Sequence, residues 1–284
     1  MPVAVVTDST AYLPAELAGS YELTVVPLTV VINGADGLEG IEIQPAEVAR
    51  ALGERRAEVS TSRPAPSQFA AAYRKLFDAG ADGIVSVHLS ARLSGTHEAA
   101  VLAAAEFGSR VEVVDSGTTG MGLGFAALAA ATAATRGQDL PAVRGAAVTH
   151  AEQVSTLFYV DTLEFLRRGG RINAASALVG TALSVKPILH VADGAIVVKD
   201  RVRTAGRALA KLVDLAVDAS GDGLVDIAVH HLQSPDRAAA LADQVAMRLG
   251  DRLRDCYITE IGAVVAAHVG PGVAGIVVHR RLSI

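Results

Sequence analysis

Short apolar runs alternate with helical stretches through the first half of the chain, and this βαβ rhythm constrains the fold most. Val3–Val6, Leu23–Val31, Ile84–Leu89 and Val111–Val114 read as strands. Ala46–Leu52, Ser67–Ala79, Thr96–Phe107, Gly122–Thr135 and Ala142–Gln153 carry helical patterns. Strands joined through helices line up in parallel, and a parallel sheet needs cover on both faces. The first half therefore predicts a three-layer α/β/α domain.

The second half changes rhythm. Leu157–Val160 reads as a strand, and Leu163–Arg168 and Ala174–Leu183 as helical turns. Pro187–Val191 and Ala195–Val198 flank Asp193-Gly194, a strong hairpin signal. Arg203–Val217 reads as a helix, as does Pro235–Leu249 with proline in its first turn. Ile227–Leu232, Tyr257–Glu260 and Ala274–His279 complete the strands. A hairpin among helices predicts a two-layer α/β domain with a mixed sheet. The expected boundary lies near residue 154, giving an N-terminal α/β domain over 1–154 and a C-terminal α/β domain over 155–284.

Composition narrows the function classes. Hydrophobic residues make up 51% of the 284, enough for a sizeable core, so disorder is excluded. A formal net charge of −5 argues against nucleic acid as a partner, because phosphate contacts need a net basic face. The lone Cys256 excludes an intramolecular disulfide and a multi-thiolate zinc site, which fits a reducing cytoplasm. The N-terminal apolar run has no basic start and stops at Asp8, unlike a secretory signal. Gly117–Thr135 carries no charge and is long enough to span a bilayer, but its Gly, Ala and Thr content reads as a buried helix. Gly270-Pro271-Gly272 breaks the other uncharged stretch, Ile261–Val278. The expectation is a soluble, cytoplasmic protein.

In open α/β sheets ligands bind beyond the carboxyl ends of the strands. Those ends here run into Thr7-Asp8-Ser9-Thr10, Ser90 with Leu93-Ser94-Gly95-Thr96, and Asp115-Ser116-Gly117-Thr118. Ser60-Thr61-Ser62 precedes a further helix. Hydroxyls beside helix N-termini suit an anion. Each cluster taken alone reads equally as caps and turns. Several at one sheet edge point to a site.

Other signals fail. Gly120-Met121-Gly122-Leu123-Gly124 has its third glycine one residue too early for a dinucleotide loop, and reads as close helix–strand packing. His97-Glu98 lacks the second histidine of a zinc-protease helix. His230 and His231 are adjacent on a strand and face opposite sides. No catalytic residue set, metal site or organic cofactor is indicated.

Taken in order, the clusters resemble the DegV family. The matching segments are Thr7-Asp8-Ser9-Thr10, Thr61-Ser62-Arg63-Pro64, Leu93-Ser94-Gly95-Thr96, Asp115-Ser116 and Met121-Gly122-Leu123-Gly124. They continue with Asp161 to Ile172, Lys186-Pro187-Ile188-Leu189, Ile261-Gly262 and His268-Val269-Gly270-Pro271-Gly272. Arg63 stands where the family often has Gln, and Val269 where Thr is common.

The resemblance implies a protein that binds a long-chain fatty acid, with its carboxylate in the cleft between two domains and its tail in an apolar tunnel of the second. It implies carboxylate contacts from Thr61, Ser62, Ser94 and Gly95, with His268 close by. Asp8, Ser9, Thr10, Thr96, Ser116 and Arg171 would line the cleft. The partner would be a separate fatty acid kinase catalytic subunit, making this chain a non-catalytic subunit in phospholipid metabolism. Arg167, Arg168 and Arg171 would dock it, although such a basic group equally describes a solvated face. Membrane contact would be transient. The alternatives are an enzyme acting on a small anionic substrate at the same cleft, and a lipid-binding sensor with no kinase.

The physics is consistent with the lipid reading. A buried carboxylate stays ionised with two or three fixed hydrogen bonds. A sixteen-carbon tail gains on the order of 11 kcal/mol gross at about 0.8 kcal/mol per methylene. A bilayer offers a similar gain, so tunnel fit sets chain selectivity. His268 reads either as a core histidine or as a residue turned toward the head group.

Overall fold

A computed structural model describes residues 2–54, 57–172 and 185–282. In chain order come β1 (Val3–Asp8), α1 (Ala15–Ser20), β2 (Thr24–Val26), β3 (Thr29–Ile32), β4 (Ala35–Leu38), α2 (Pro45–Gly53) and β5 (Val59–Ser62). Next are α3 (Pro66–Asp78), β6 (Gly83–His88), α4 (Thr96–Ala104), β7 (Val111–Asp115), α5 (Met121–Thr135) and α6 (Leu140–Ala151). Then follow β8 (Val154–Tyr159), α7 (Glu164–Arg168), β9 (Lys186–Ala192), β10 (Ala195–Val202) and α8 (Ala205–Ser220). The chain ends with β11 (Val225–His231), α9 (Pro235–Leu249), β12 (Leu253–Glu260), α10 (Ala263–Val269) and β13 (Ala274–Arg280). The turns expected over Ala174–Leu183 lie outside the described residues.

The chain forms two units, Met1–Thr29 with Ser62–Glu152, and Val30–Thr61 with Gln153–Ile284. Residues 30–61 thus belong with the second half of the chain. The physical reason lies in the apolar run Leu23–Val31, expected as one strand. Pro27 has no N–H to give a ladder and splits that run. β2 ends at Val26 and pairs with β1 in parallel, whereas β3 starts at Thr29 and lies between β4 and β5 in a separate three-stranded sheet.

In the first unit, four parallel strands run in the order β2-β1-β6-β7. Side chains alternate across this sheet. Val5, Val85 and Val87 pack against Leu123, Ala126 and Ala130 of α5 and Val143 and Ala147 of α6. Val6 and Ile84 pack against Phe69 and Tyr73 of α3 and Ala99 and Ala103 of α4. This is the expected three-layer arrangement. α5, which includes most of the uncharged Gly117–Thr135 stretch, is buried in it. Gly124 is required by close packing, since a Cβ there would sit 2.9 Å from the Ala11 carbonyl oxygen. Among the described residues no helix is long and apolar enough to cross a membrane.

In the second unit, six strands run in the order β10-β9-β8-β13-β11-β12, antiparallel except for β11 with β12. The β9–β10 hairpin turns at Asp193-Gly194, both with positive φ, as the sequence implies. Leu157, Ile188, Ile227, Val229 and Ile276 pack against Leu212 of α8 and Leu241 and Val245 of α9. Phe158, Leu189, Ala228 and Val277 alternate with these residues and are also buried, so both faces of this sheet are covered. α10 packs against α2 and α7.

Leu212 is fully buried between α8 and the sheet. Leu212→Ala should cost about 2–5 kcal/mol. Urea unfolding followed by circular dichroism measures this; a loss below about 0.5 kcal/mol would contradict the packing described.

Candidate functional site

The first unit spends several of its strand-end polar groups on shaping loops. The Asp8 side chain is fully buried and accepts four hydrogen bonds. Oδ1 takes the Thr10 N–H at 3.0 Å and the Thr10 hydroxyl at 2.6 Å. Oδ2 takes the Leu89 N–H at 3.0 Å and His88 Nδ1 at 3.1 Å. With Nδ1 donating to the carboxylate, His88 Nε2 accepts from the Ser86 hydroxyl at 2.7 Å. Ser86 in turn accepts from the Tyr73 hydroxyl at 2.9 Å. Burial pushes the Tyr73 phenol up to about 12, so it stays protonated as the donor.

The Ser86–His88–Asp8 line has the connectivity of a hydrolytic triad, but all of its side chains are sealed inside and the serine oxygen is engaged by Tyr73. Its effect is to fix the turns after β1 and β6. Ser9 Oγ accepts from the Leu28 N–H, and the Ser116 hydroxyl donates to the Thr118 carbonyl within its own turn. These hydrogen bonds of Asp8, Ser9, Thr10 and Ser116 tie together the loops that follow the strands.

The turn entering α4 is different. Ser94 Oγ lies 2.8 Å from Thr96 Oγ1 and accepts from the Thr96 N–H at 3.3 Å. Thr96 is buried, while Ser94 and Gly95 are part-exposed. Arg63 crosses this turn, bonding the Gly95 carbonyl at 3.2 Å and the Glu98 carboxylate. The exposed Ser62 hydroxyl donates to the Arg63 carbonyl.

In the second unit, β5 and α10 bring Thr61 and His268 together, although they are 207 residues apart. Thr61 Oγ1 lies 2.8 Å from His268 Nε2. Burial pulls the imidazole down to about 4, and the positive charge of Arg171 adds to that. His268 is therefore uncharged at neutral pH. Gly169 makes room for it, because a Cβ there would overlap His268 Nδ1. Arg171 folds back to donate to the Gly169 carbonyl. Unlike half-buried Arg171, Arg167 and Arg168 are exposed, and Arg168 pairs with Glu164 at 2.5 Å.

Both ends of α10 are held. The buried Glu39 carboxylate accepts the Val264 N–H at 2.7 Å in the first turn. Past the last turn Gly270 has φ +74 and lies on the Phe165 ring, so any side chain there would collide. Gly272, with φ +84, packs equally closely on Asp161. Asp161 also accepts from Tyr159 and from Lys186 Nζ. The Asp161-to-Ile172 segment thus shapes the turn that follows His268.

Sequence reasoning missed His88, Ser86, Glu39 and Asp161 as positioning groups. For Ser86 and His88 a signal existed: two polar residues at i and i+2 inside an apolar strand share one face. Glu39 had no local signal, since its partner lies 225 residues away.

One unit with a parallel three-layer sheet and one with a mixed sheet, the latter holding a hydroxyl on an uncharged imidazole, define a two-unit α/β protein. The family model described as "Uncharacterised protein, DegV family" matches residues 2–281, and the chain belongs to the DegV family. It is 53% identical over 279 residues to a DegV domain-containing protein of Streptomyces coelicolor, covering 98% of this chain and 99% of that one. A Mycobacterium bovis relative is 41% identical over 282 residues, covering 98% and 97%. Among solved structures, a fatty acid-binding DegV family protein from Thermus thermophilus superimposes with TM-score 0.93 at 36% identity, covering 99% of this chain and 100% of that one. The Bacillus subtilis DegV, described as a fatty acid binding protein, gives 0.88 at 31%, covering 99% and 100%.

Two outcomes follow. His268 has a folded pKa of about 4, below the ordinary value of about 6.5, so the unfolded chain binds its proton first. This group adds no pH dependence above about 6.5 and lowers stability as pH falls from there toward 4, by at most about 3 kcal/mol because residual exposure screens part of it. His268→Asn should flatten that part of a stability-versus-pH curve; an unchanged slope would contradict the assignment. Gly169→Ala should displace the His268 ring and shift its imidazole NMR resonances, because a Cβ there would overlap Nδ1; an unshifted ring would contradict the spacing role of Gly169.

Proposed function

We propose that the chain binds a long-chain fatty acid and presents it to a separate ATP-dependent fatty acid kinase. In this reading the carboxylate is held by Thr61, Ser62, Ser94 and Gly95, with His268 acting through Thr61. The carrying observation is the Thr61–His268 hydrogen bond with an uncharged imidazole. For the Thr61 hydroxyl to donate to a carboxylate, its oxygen must accept from His268, which sets the proton on Nε2. The two bonds run in series and polarise each other. No net positive charge is needed on the ring, so the acid is gripped without a tight ion pair.

Fatty acid binding by the Thermus and Bacillus relatives supports the ligand class. The tail is assigned to an apolar tunnel along the sheet face away from α8 and α9, where Phe158, Leu189, Ala228 and Val277 are buried. In the kinase step an ionised carboxylate oxygen attacks the γ-phosphorus of ATP. The new O–P bond forms as the bond to ADP breaks, giving an acyl phosphate and ADP with no proton to remove. Arg171, whose charge already acts on His268, is the residue assigned to meet the added charge, and Arg167 and Arg168 are the proposed kinase contacts. A hydrolytic role for the Ser86–His88–Asp8 line is disfavoured, because Ser86 is sealed and engaged by Tyr73.

Denaturing the purified protein and analysing the extract by mass spectrometry tests the ligand. About one fatty acid per chain is expected. Thr61→Val should weaken palmitate binding by ten- to a hundredfold, since a hydrogen bond to a charged group contributes about 1.5–3 kcal/mol. An extract without fatty acid, together with no palmitate uptake, would overturn the reading. Uptake without acyl phosphate formation on adding a fatty acid kinase and ATP would remove the kinase step alone.

A further inference from the structure

Arg63 lies directly on the turn that the proposed function uses for the head group. Its Nη1 donates to the Gly95 carbonyl at 3.2 Å and to the Glu98 carboxylate. A Cβ on Gly95 would come within 2.6 Å of that nitrogen, so glycine is what lets the guanidinium rest on the backbone here. The neighbouring Ser94 and Thr96 hydroxyls are 2.8 Å apart on the same turn. Both contacts of Arg63 use Nη1, which leaves Nε and Nη2 without a protein partner among the described residues. Those two nitrogens form the edge of the guanidinium that matches two oxygens of a phosphoryl group.

The energetics favour release from Glu98. The pair is solvent-exposed, with side chains 44% and 69% accessible. Such pairs contribute little, about 0–1 kcal/mol, and are screened by salt. A monoanionic carboxylate competes weakly with Glu98 for Arg63. A doubly charged phosphoryl group competes well, and the bond to the Gly95 carbonyl keeps the guanidinium on the turn meanwhile.

Building on the head-group role of Ser94 and Gly95, we infer that Arg63 is a specificity-determining residue that selects a doubly charged phosphoryl head group over a carboxylate, with Glu98 as its resting partner. The site would thereby hold the acyl phosphate product more tightly than the acid from which it forms.

Competitive binding of palmitate and hexadecylphosphonate, at a pH where the phosphonate is doubly ionised, tests this. Arg63→Gln should reduce the preference for phosphonate over palmitate by about tenfold. Glu98→Gln should raise that preference several-fold, and added salt should erode it in the unmodified protein. Equal changes for both ligands, or no change in preference in either variant, would overturn the role of Arg63. Failure of the unmodified protein to bind palmitate would instead remove the head-group reading on which the inference rests. Because Arg63 and Glu98 are exposed, thermal melting should stay near that of the unmodified protein in both variants, which separates a binding effect from misfolding.

Discussion

The proposed head-group site depends on one contact, the hydrogen bond between the Thr61 hydroxyl and the His268 imidazole. Its value depends on the imidazole being uncharged, which burial and the Arg171 guanidinium enforce together. Much of the second unit around it can be understood as support. Glu39 fixes the start of α10, Phe165 and Asp161 fix the glycine turn beyond it, and the missing side chain at Gly169 admits the ring. Each of these contacts is short and sterically strict.

The first unit contributes rigidity in a different way. Asp8 ties the ends of β1 and β6 together, and the buried line through His88 and Ser86 to Tyr73 anchors that tie to α3. With every donor and acceptor along it matched, the network stabilises one arrangement of the strand ends. The loop carrying Ser94 and Gly95 starts directly after this anchor, at Leu89 and Ser90. Polar side chains that look catalytic in isolation are here the framework on which the Ser94–Gly95 turn stands.

The fold was legible where periodicity and local chemistry decide structure. The βαβ rhythm gave the parallel sheet, and Asp193-Gly194 gave the β9–β10 hairpin. α10 was not legible, because Ala263, Val264, Ala266, Ala267 and Val269 are all buried and leave no amphipathic stripe. The transfer of residues 30–61 to the second unit was hidden as well, since one proline redirects an apolar run whose new partners are remote in sequence. The site residues came from the order of family motifs. Their wiring did not: the Thr61–His268 and Glu39–Val264 contacts span 207 and 225 residues, and the Arg63–Glu98 pair spans 35.

The most direct measurement is nitrogen-15 NMR of the His268 ring with carboxyl-labelled palmitate, recorded across the acid range. An uncharged ring with its proton on Nε2 down to about pH 5 is expected, together with a palmitate carboxyl resonance that shifts in the Thr61→Val protein. A ring that titrates near 6.5, or a carboxyl resonance indifferent to the loss of the Thr61 hydroxyl, would contradict it.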